Sequence, residues 1–204
     1  MTPKVSHKYS LEEDFILQKL HKDLPGDLSY HGIHHTVDVF NAAMRIAEAE
    51  KLSQEEIKLL RIAVLYHDAG FTSTYKNHEE KACEMAREHL PTYGYTEKEI
   101  KIICGMIMAT KIPQNPRTLL ERIICDADLD YLGRNDFHKI SRTLLQEIQK
   151  YVRTHHDKEW NIIQKKFLEE HQYHTKFSRT KRDPKKQKYL EEIRQLVLTY
   201  DLEK

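Results

Sequence analysis

Histidine stands out among the residue types of this sequence, because an imidazole can bind a metal ion or carry a proton near neutral pH. The chain has 13 histidines among 204 residues, and three of them lie within the segment 31–35. A helix over this segment would bring four polar side chains onto one face, those of His31, His34, His35 and Asp38. Such a face could bind a metal ion, although the solvated start of a helix could contain the same residues.

A second feature is the pair His67 and Asp68, which ends the most apolar helical segment of the chain. A buried, ionised carboxylate is costly unless a cation or a metal ion compensates its charge. The pair therefore predicts a metal or cation site. The same dipeptide occurs at His156 and Asp157, but charged residues flank it there, which indicates a solvated junction between helices.

Three carboxylates follow an apolar pair at every second position, those of Asp126, Asp128 and Asp130. Taken alone, this pattern also fits an acid-rich helix N-terminus, which the helix dipole favours. Two imidazoles and two carboxylates from three separate segments suit one divalent cation that keeps positions open for water and substrate. Such an ion lowers the pKa of bound water and polarises a phosphoryl oxygen, so the predicted chemistry is hydrolysis. The candidate ligands are His35, His67, Asp68 and Asp128.

The segments that must position these side chains have the pattern of helices. The chain has only 6 glycines and 6 prolines, and apolar residues recur at spacings of three and four. Gly70 is predicted as the C′ residue that ends the helix before it. Three capping boxes mark helix starts, at Ser10 with Glu13, Ser53 with Glu56, and Thr96 with Glu99. We predict an all-α fold of roughly nine helices, which start near Ser10, Tyr30, Ser53, Thr74, Thr96, Pro116, Asn135, Asp157 and Pro184.

Composition and charge exclude several classes of protein. Hydrophobic residues make up 39% of the chain and charged residues 32%, which is enough apolar material for one core and excludes a disordered or fibrous chain. The longest stretch of low polarity, 102–109, is far shorter than the ~18 residues that a membrane helix needs. A net charge of +1 gives no global field that would attract nucleic acid. The three cysteines lack paired spacing and the N-terminus lacks an apolar signal segment, which predicts a cytoplasmic protein.

The order of these motifs resembles the HD superfamily of metal-dependent phosphohydrolases, which is named after the central His-Asp pair. The similarity covers about 28–135, roughly half of the chain. The resemblance implies a helical HD-type core with one domain over 1–204 and a C-terminal helical extension at about 136–204. It also implies that His35, His67, Asp68 and Asp128 bind the metal, with Asp128 preferred to Asp126.

The segment 30–35 is also similar to the metal-binding helix of cyclic nucleotide phosphodiesterases, in which the earlier histidine protonates the leaving oxygen. By that similarity His31 is a candidate general acid, and the spacing of His31 and His35 supports it, because residues four apart on a helix face the same way. Binuclear relatives have further histidines between Asp68 and Asp128, and this chain has only His78 and His89 there. We therefore predict one divalent ion, which could be Mn2+, Mg2+, Fe2+, Co2+, Ni2+ or Zn2+.

Three residues near the predicted site are candidate substrate contacts. His78 follows the His-Asp pair by ten residues and opens the next helix, while Lys111 and Arg134 are cations that a phosphate would need. The segment 176–188 has seven basic residues and a single aspartate, which invites a nucleic-acid interpretation. A solvated turn and helix start explains it more simply, so the sequence does not predict nucleic acid as a partner.

The sequence thus predicts a metal-dependent phosphohydrolase that acts on a small phosphorylated molecule, with a nucleotide favoured. In this hypothesis water activated by the metal attacks phosphorus, Asp68 orients or deprotonates that water, and His31 protonates the leaving group. The alternative is a regulatory module that binds a metal and a nucleotide without hydrolysing it. A di-iron oxygenase on the same fold would need a second metal ion, and therefore more histidine ligands between Asp68 and Asp128 than this chain has. The substrate, the bond cleaved and the oligomeric state are left open.

Overall fold

A computed structural model describes residues 9–152 and 156–200. This part of the chain contains helices and no strand, which confirms the all-α prediction. The α-helices are α1 (Leu11–Asp23), α2 (Ile33–Ala49), α3 (Gln54–Tyr66), α4 (His78–His89), α5 (Glu97–Ala109), α6 (Leu119–Asp128), α7 (Phe137–Tyr151), α8 (Asp157–Glu170), α9 (Lys176–Lys181) and α10 (Asp183–Thr199). Short 3-10 helices occupy Ala69–Thr72, Leu90–Tyr93 and Asp130–Gly133.

The helix starts follow the local capping signals. All three predicted capping boxes are present, and a fourth joins Thr118 to Glu121 at the start of α6. The fourth box moves the start of α6 from the predicted Pro116 to Leu119. The short helix α9 was not predicted; Thr175 caps it by accepting a hydrogen bond from the backbone N–H of Ser178.

Two groups of buried apolar residues hold the helices together. The larger group lies among α1 to α6, where α2 and α3 pack on each other and on α6 and α5. The smaller group connects the turn after α6 with α7, α8 and α10 and includes Tyr131, Phe137 and Leu168. The sequence predicted a single domain over 1–204, with the HD core ending near 135 and a helical extension after it. This division stays a prediction. Among the described residues we found no helix that is both long and apolar enough to cross a bilayer.

Gly70 lies at a close contact rather than at a helix C′ position, so the prediction for this residue was wrong. It belongs to the 3-10 helix Ala69–Thr72 that follows α3, and its backbone has no positive φ. A Cβ atom placed on Gly70 would lie 2.0 Å from the carbonyl oxygen of His78. The missing side chain therefore lets the start of α4 approach the His67-Asp68 corner.

Substitution of Gly70 by alanine is expected to lower the free energy of unfolding by about 3 kcal/mol, because two backbone segments must move apart. For a chain of this length, that loss lowers Tm by roughly 6–12 °C. Gly26 is a matched control, since a Cβ there meets no atom within 4 Å. Thermal unfolding of Gly70→Ala and Gly26→Ala tests the prediction, and equal melting temperatures for the two variants would contradict it.

Candidate functional site

The four predicted metal ligands come together from three helices. His35 lies in the first turn of α2, His67 and Asp68 directly follow α3, and Asp128 is the last residue of α6. The Nε2 atom of His35 lies 3.0 Å from Oδ1 of Asp128 and 3.5 Å from Oδ2 of Asp68. The Nε2 atom of His67 lies 3.3 Å from Oδ2 of Asp68 and 3.7 Å from Oδ1 of Asp128.

This cluster has the properties of a site for a cation. Ligand atoms of His35, His67 and Asp128 all lie within 4.8 Å of one another. The Nε2 atom of His67 and the Oδ2 atom of Asp68 are buried, and neither has a hydrogen-bond partner among the described residues. Buried polar atoms are rarely left unpaired, so these two atoms fit coordination to a metal ion. The Nδ1 atom of His67 lies 2.7 Å from the carbonyl oxygen of Val64, which fixes the ring and directs Nε2 into the cluster.

The electrostatics of the cluster also favour a positive charge. Burial alone would raise the pKa of Asp128, but the hydrogen bond from His35 and the charges of His67 and His35 lower it to about 2. Burial alone would lower the pKa of His67, yet the neighbouring carboxylates raise it well above its ordinary value. Both shifts show that two carboxylates share a buried space that needs compensating charge.

The other two acids of the predicted carboxylate run have structural partners. Asp126 is fully buried and accepts hydrogen bonds from the backbone N–H groups of His174 and Thr175, each at 2.8 Å. Asp130 accepts a hydrogen bond from Nε of Arg182 at 2.6 Å. Within the described residues, Asp128 is therefore the member of the run that joins the histidine cluster.

His31 precedes α2 instead of belonging to it, because the helix begins at Ile33 with Gly32 as N-cap. The prediction that His31 shares a helix face with His35 was therefore wrong, although the two rings remain neighbours, with centroids 5.8 Å apart. The Nδ1 atom of His31 is hydrogen-bonded to Oε1 of Glu147 on α7. Burial lowers the pKa of His31, but this hydrogen bond and nearby carboxylates outweigh it and raise the pKa overall.

Glu147 is a residue of the site that the sequence pattern did not reveal. The residue is 1% exposed, and its carboxylate accepts hydrogen bonds from the backbone N–H groups of Tyr30, at 2.7 Å, and His31, at 3.0 Å. The hydroxyl of Tyr75 donates a further hydrogen bond to it at 3.2 Å. Glu147 therefore fixes both the backbone and the ring of His31.

His78 lies beside the cluster, at the first residue of α4. Its Nε2 atom is 3.5 Å from Oδ1 of Asp68 and 3.4 Å from Oε1 of Glu79. Its ring stacks on Phe71 with centroids 4.0 Å apart, and the ring of His31 also stacks on Phe71 at 4.3 Å. Burial lowers the pKa of His78, which favours the neutral ring. The contact of His78 with substrate stays a prediction.

The two predicted substrate cations have partners elsewhere. The Nζ atom of Lys111 forms an ion pair with Glu80. Arg134 donates hydrogen bonds to Asp38 at 2.8 Å and to Asp136 at 2.6 Å. Their role as substrate contacts stays a prediction, and neither is among the described residues that line the cavity beside the cluster.

Comparisons with known proteins identify the family. The sequence model of the HD-domain family matches residues 32–132, and this stretch contains all four clustered ligands. The chain belongs to the HD-domain family. This places it in a superfamily of metal-dependent phosphohydrolases and confirms the resemblance found in the sequence.

One further protein and one solved structure are similar to this chain. The chain is similar to an uncharacterized protein from Clostridium beijerinckii, with 36% identity over 76 residues, which cover 36% of this chain and 48% of that protein. The match thus spans about half of the relative's length. The crystal structure of a predicted HD superfamily hydrolase from an uncultured Thermotogales bacterium has a similar fold. It aligns with a TM-score of 0.61 over 92% of each chain, at 22% identity.

Proposed function

We propose that this HD-domain protein is a hydrolase that cleaves the phosphate ester or phosphoanhydride bond of a small molecule with the help of one divalent ion. The observation that carries the proposal is the buried cluster, in which His67 and Asp68 each hold an unpaired polar atom towards the other ligands. Two imidazoles and two carboxylates suit a hard or borderline divalent ion. His35, His67, Asp68 and Asp128 would hold it.

A bound divalent ion supplies Lewis-acid chemistry, since it lowers the pKa of water and polarises a phosphoryl oxygen. The protein's own groups complete the site. The carboxylate of Asp68 has two oxygens, one directed towards the other ligands and one towards His78, so it can accept a proton or a hydrogen bond from the attacking water. We assign His31 as the acid that protonates the leaving oxygen, because Glu147 holds its Nδ1 atom and the residue lines the cavity beside the cluster.

The sequence favours a nucleotide as the substrate, and the family resemblance is the support for that expectation. The experiment that tests the function is therefore a broad one. The purified chain is freed of metal with a chelator and reloaded with Mn2+, Mg2+, Fe2+, Co2+, Ni2+ or Zn2+. Each form is offered nucleoside mono-, di- and triphosphates, cyclic nucleotides and simple phosphomonoesters, and phosphate and pyrophosphate release is measured.

We expect release that depends on the added ion, is lost with the chelator and returns on reloading. A bound ion close to one per chain supports the single-metal site, and a ratio near two contradicts it. Saturable binding of a nucleotide without any release, under every ion, would contradict the hydrolase and favour a regulatory binding module.

A further inference from the structure

A cavity of about 300 Å³ opens beside the cluster of predicted metal ligands. Asp68, Asp128 and His31 are among the residues that line it. Its volume is at the lower end of the range for small-molecule sites, which are about 300–1,000 Å³. The cavity therefore fits a small organic group attached to a phosphate that is held at the cluster.

Most of the remaining cavity wall is apolar, and much of it comes from α7 and α8 rather than from the matched HD segment. Described residues of these two helices that line it include Phe137, Leu144, Ile148, Trp160, Ile163 and Phe167. Two uncharged polar side chains of the lining already form hydrogen bonds within the protein. The hydroxyl of Thr110 donates to the carbonyl oxygen of Ile107 at 2.8 Å, and the amide of Gln164 bonds to Ser141.

The charge of the lining disfavours a substrate that has several phosphates. No Lys or Arg occurs among the described residues that line the cavity, whereas Asp68, Glu79 and Asp128 do. A di- or triphosphate would bring several negative charges without a protein cation to meet them. The hydroxyls of a ribose and the polar edge of a base would lose hydrogen bonds to water on entering an apolar wall, at a cost of about 1–3 kcal/mol each.

Resting on the proposed function, we infer that the substrate is a phosphate monoester with a single phosphate, whose aryl or short alkyl group occupies this cavity. Hydrolysis breaks the bond between phosphorus and the ester oxygen. Water supplies the new oxygen on phosphorus, and the leaving oxygen takes up one proton, so the products are inorganic phosphate and a phenol or alcohol. This substrate class departs from the nucleotide expected from the sequence.

Turnover tests the inference with matched esters and matched variants. With Mn2+ added, kcat/KM for butyl phosphate, a primary alkyl ester like ribose 5-phosphate, is expected to exceed that for ribose 5-phosphate and for ATP by at least about tenfold, the discrimination that apolar contacts of this size provide. Ile163→Lys places a charge in the lining and is expected to lower kcat/KM for phenyl phosphate about tenfold. Ile162→Lys is the control, because Ile162 is 49% exposed on the same helix and does not line the cavity.

Binding can be followed without turnover, because Trp160 lines the cavity and is the single tryptophan of the chain. Phenylphosphonate, which cannot be hydrolysed as an ester, is expected to change the tryptophan emission saturably in wild type and Ile162→Lys, with about tenfold weaker affinity in Ile163→Lys. Phosphonoacetate, a polar phosphonate, is expected to leave the emission unchanged.

The outcomes separate the two proposals. Fastest phosphate release from ribose 5-phosphate or ATP, or equal effects of the two lysine variants, would overturn the apolar substrate class while leaving the hydrolase intact. A saturable emission change with phenylphosphonate, together with no phosphate release from any ester, would support the apolar ligand and overturn the hydrolase.

Discussion

Asp68→Asn is expected to abolish tight binding of the divalent ion and to lower turnover at least about a thousandfold, since even groups behind the ligands are worth 10–100-fold. The substitution keeps the size of the side chain and removes one of the two negative charges of the cluster. The oxygen of Asp68 that lacks a hydrogen-bond partner in the described residues is then either a neutral oxygen or an amide nitrogen. Metal content of the purified protein and ion-dependent phosphate release measure the two effects.

Asp126→Asn is the matched control for this prediction. Asp126 is as buried as Asp68, and the same atom change is made, but its carboxylate accepts hydrogen bonds from the residues that precede α9. We expect this variant to keep its ion and to lose about 1–3 kcal/mol of unfolding free energy, because an amide cannot accept all of these bonds. Loss of the ion in Asp126→Asn, or normal ion binding in Asp68→Asn, would contradict the assignment of the cluster.

The parts of this fold that were predictable depend on local chemistry. A capping box needs only two residues three positions apart, and Thr118 with Glu121 shows that the same signal could also have located the start of α6. The extent of α2 was harder to predict, because Gly32 rather than a side chain caps it, and His31 was therefore assigned to the helix. Gly70 was misassigned because a helix C′ glycine and a glycine at a close contact look alike in sequence.

In the candidate site, too, the features that local sequence encodes were predictable, and those that depend on distant residues were not. His67 and Asp68 are adjacent in sequence and follow an apolar run, so the amino-acid sequence alone was enough to infer that both are buried. Glu147 lies 117 positions after Tyr30, and nothing in the amphipathic pattern of α7 separates it from a solvated glutamate. The apolar cavity was equally hidden, because Trp160 and Phe167 have the same pattern whether they fill a core or line a pocket.

His31→Ala is expected to keep the metal ion and to lower kcat for an alkyl phosphate by about 10²–10⁴-fold, the usual contribution of a positioned acid. An alkoxide is a poor leaving group and needs a proton, whereas 4-nitrophenolate leaves readily without one. The loss of kcat is therefore expected to be much smaller with 4-nitrophenyl phosphate. Steady-state kinetics on the two esters measure the difference, and an equal loss on both would contradict the role of His31 as acid.

Glu147→Gln is expected to lower kcat on the alkyl ester about tenfold through His31, because an amide holds the imidazole less firmly than a carboxylate does. A residue that acts only through His31 has nothing further to contribute once the imidazole is gone. The variant that combines His31→Ala with Glu147→Gln is therefore expected to show the kcat of His31→Ala alone. If the two residues acted independently, the two losses would multiply. Glu147 also holds the backbone of Tyr30 and His31, so metal content and Tm are measured in all three variants. Multiplicative losses in folded, metal-loaded protein would show that Glu147 contributes to the reaction by a route other than the histidine.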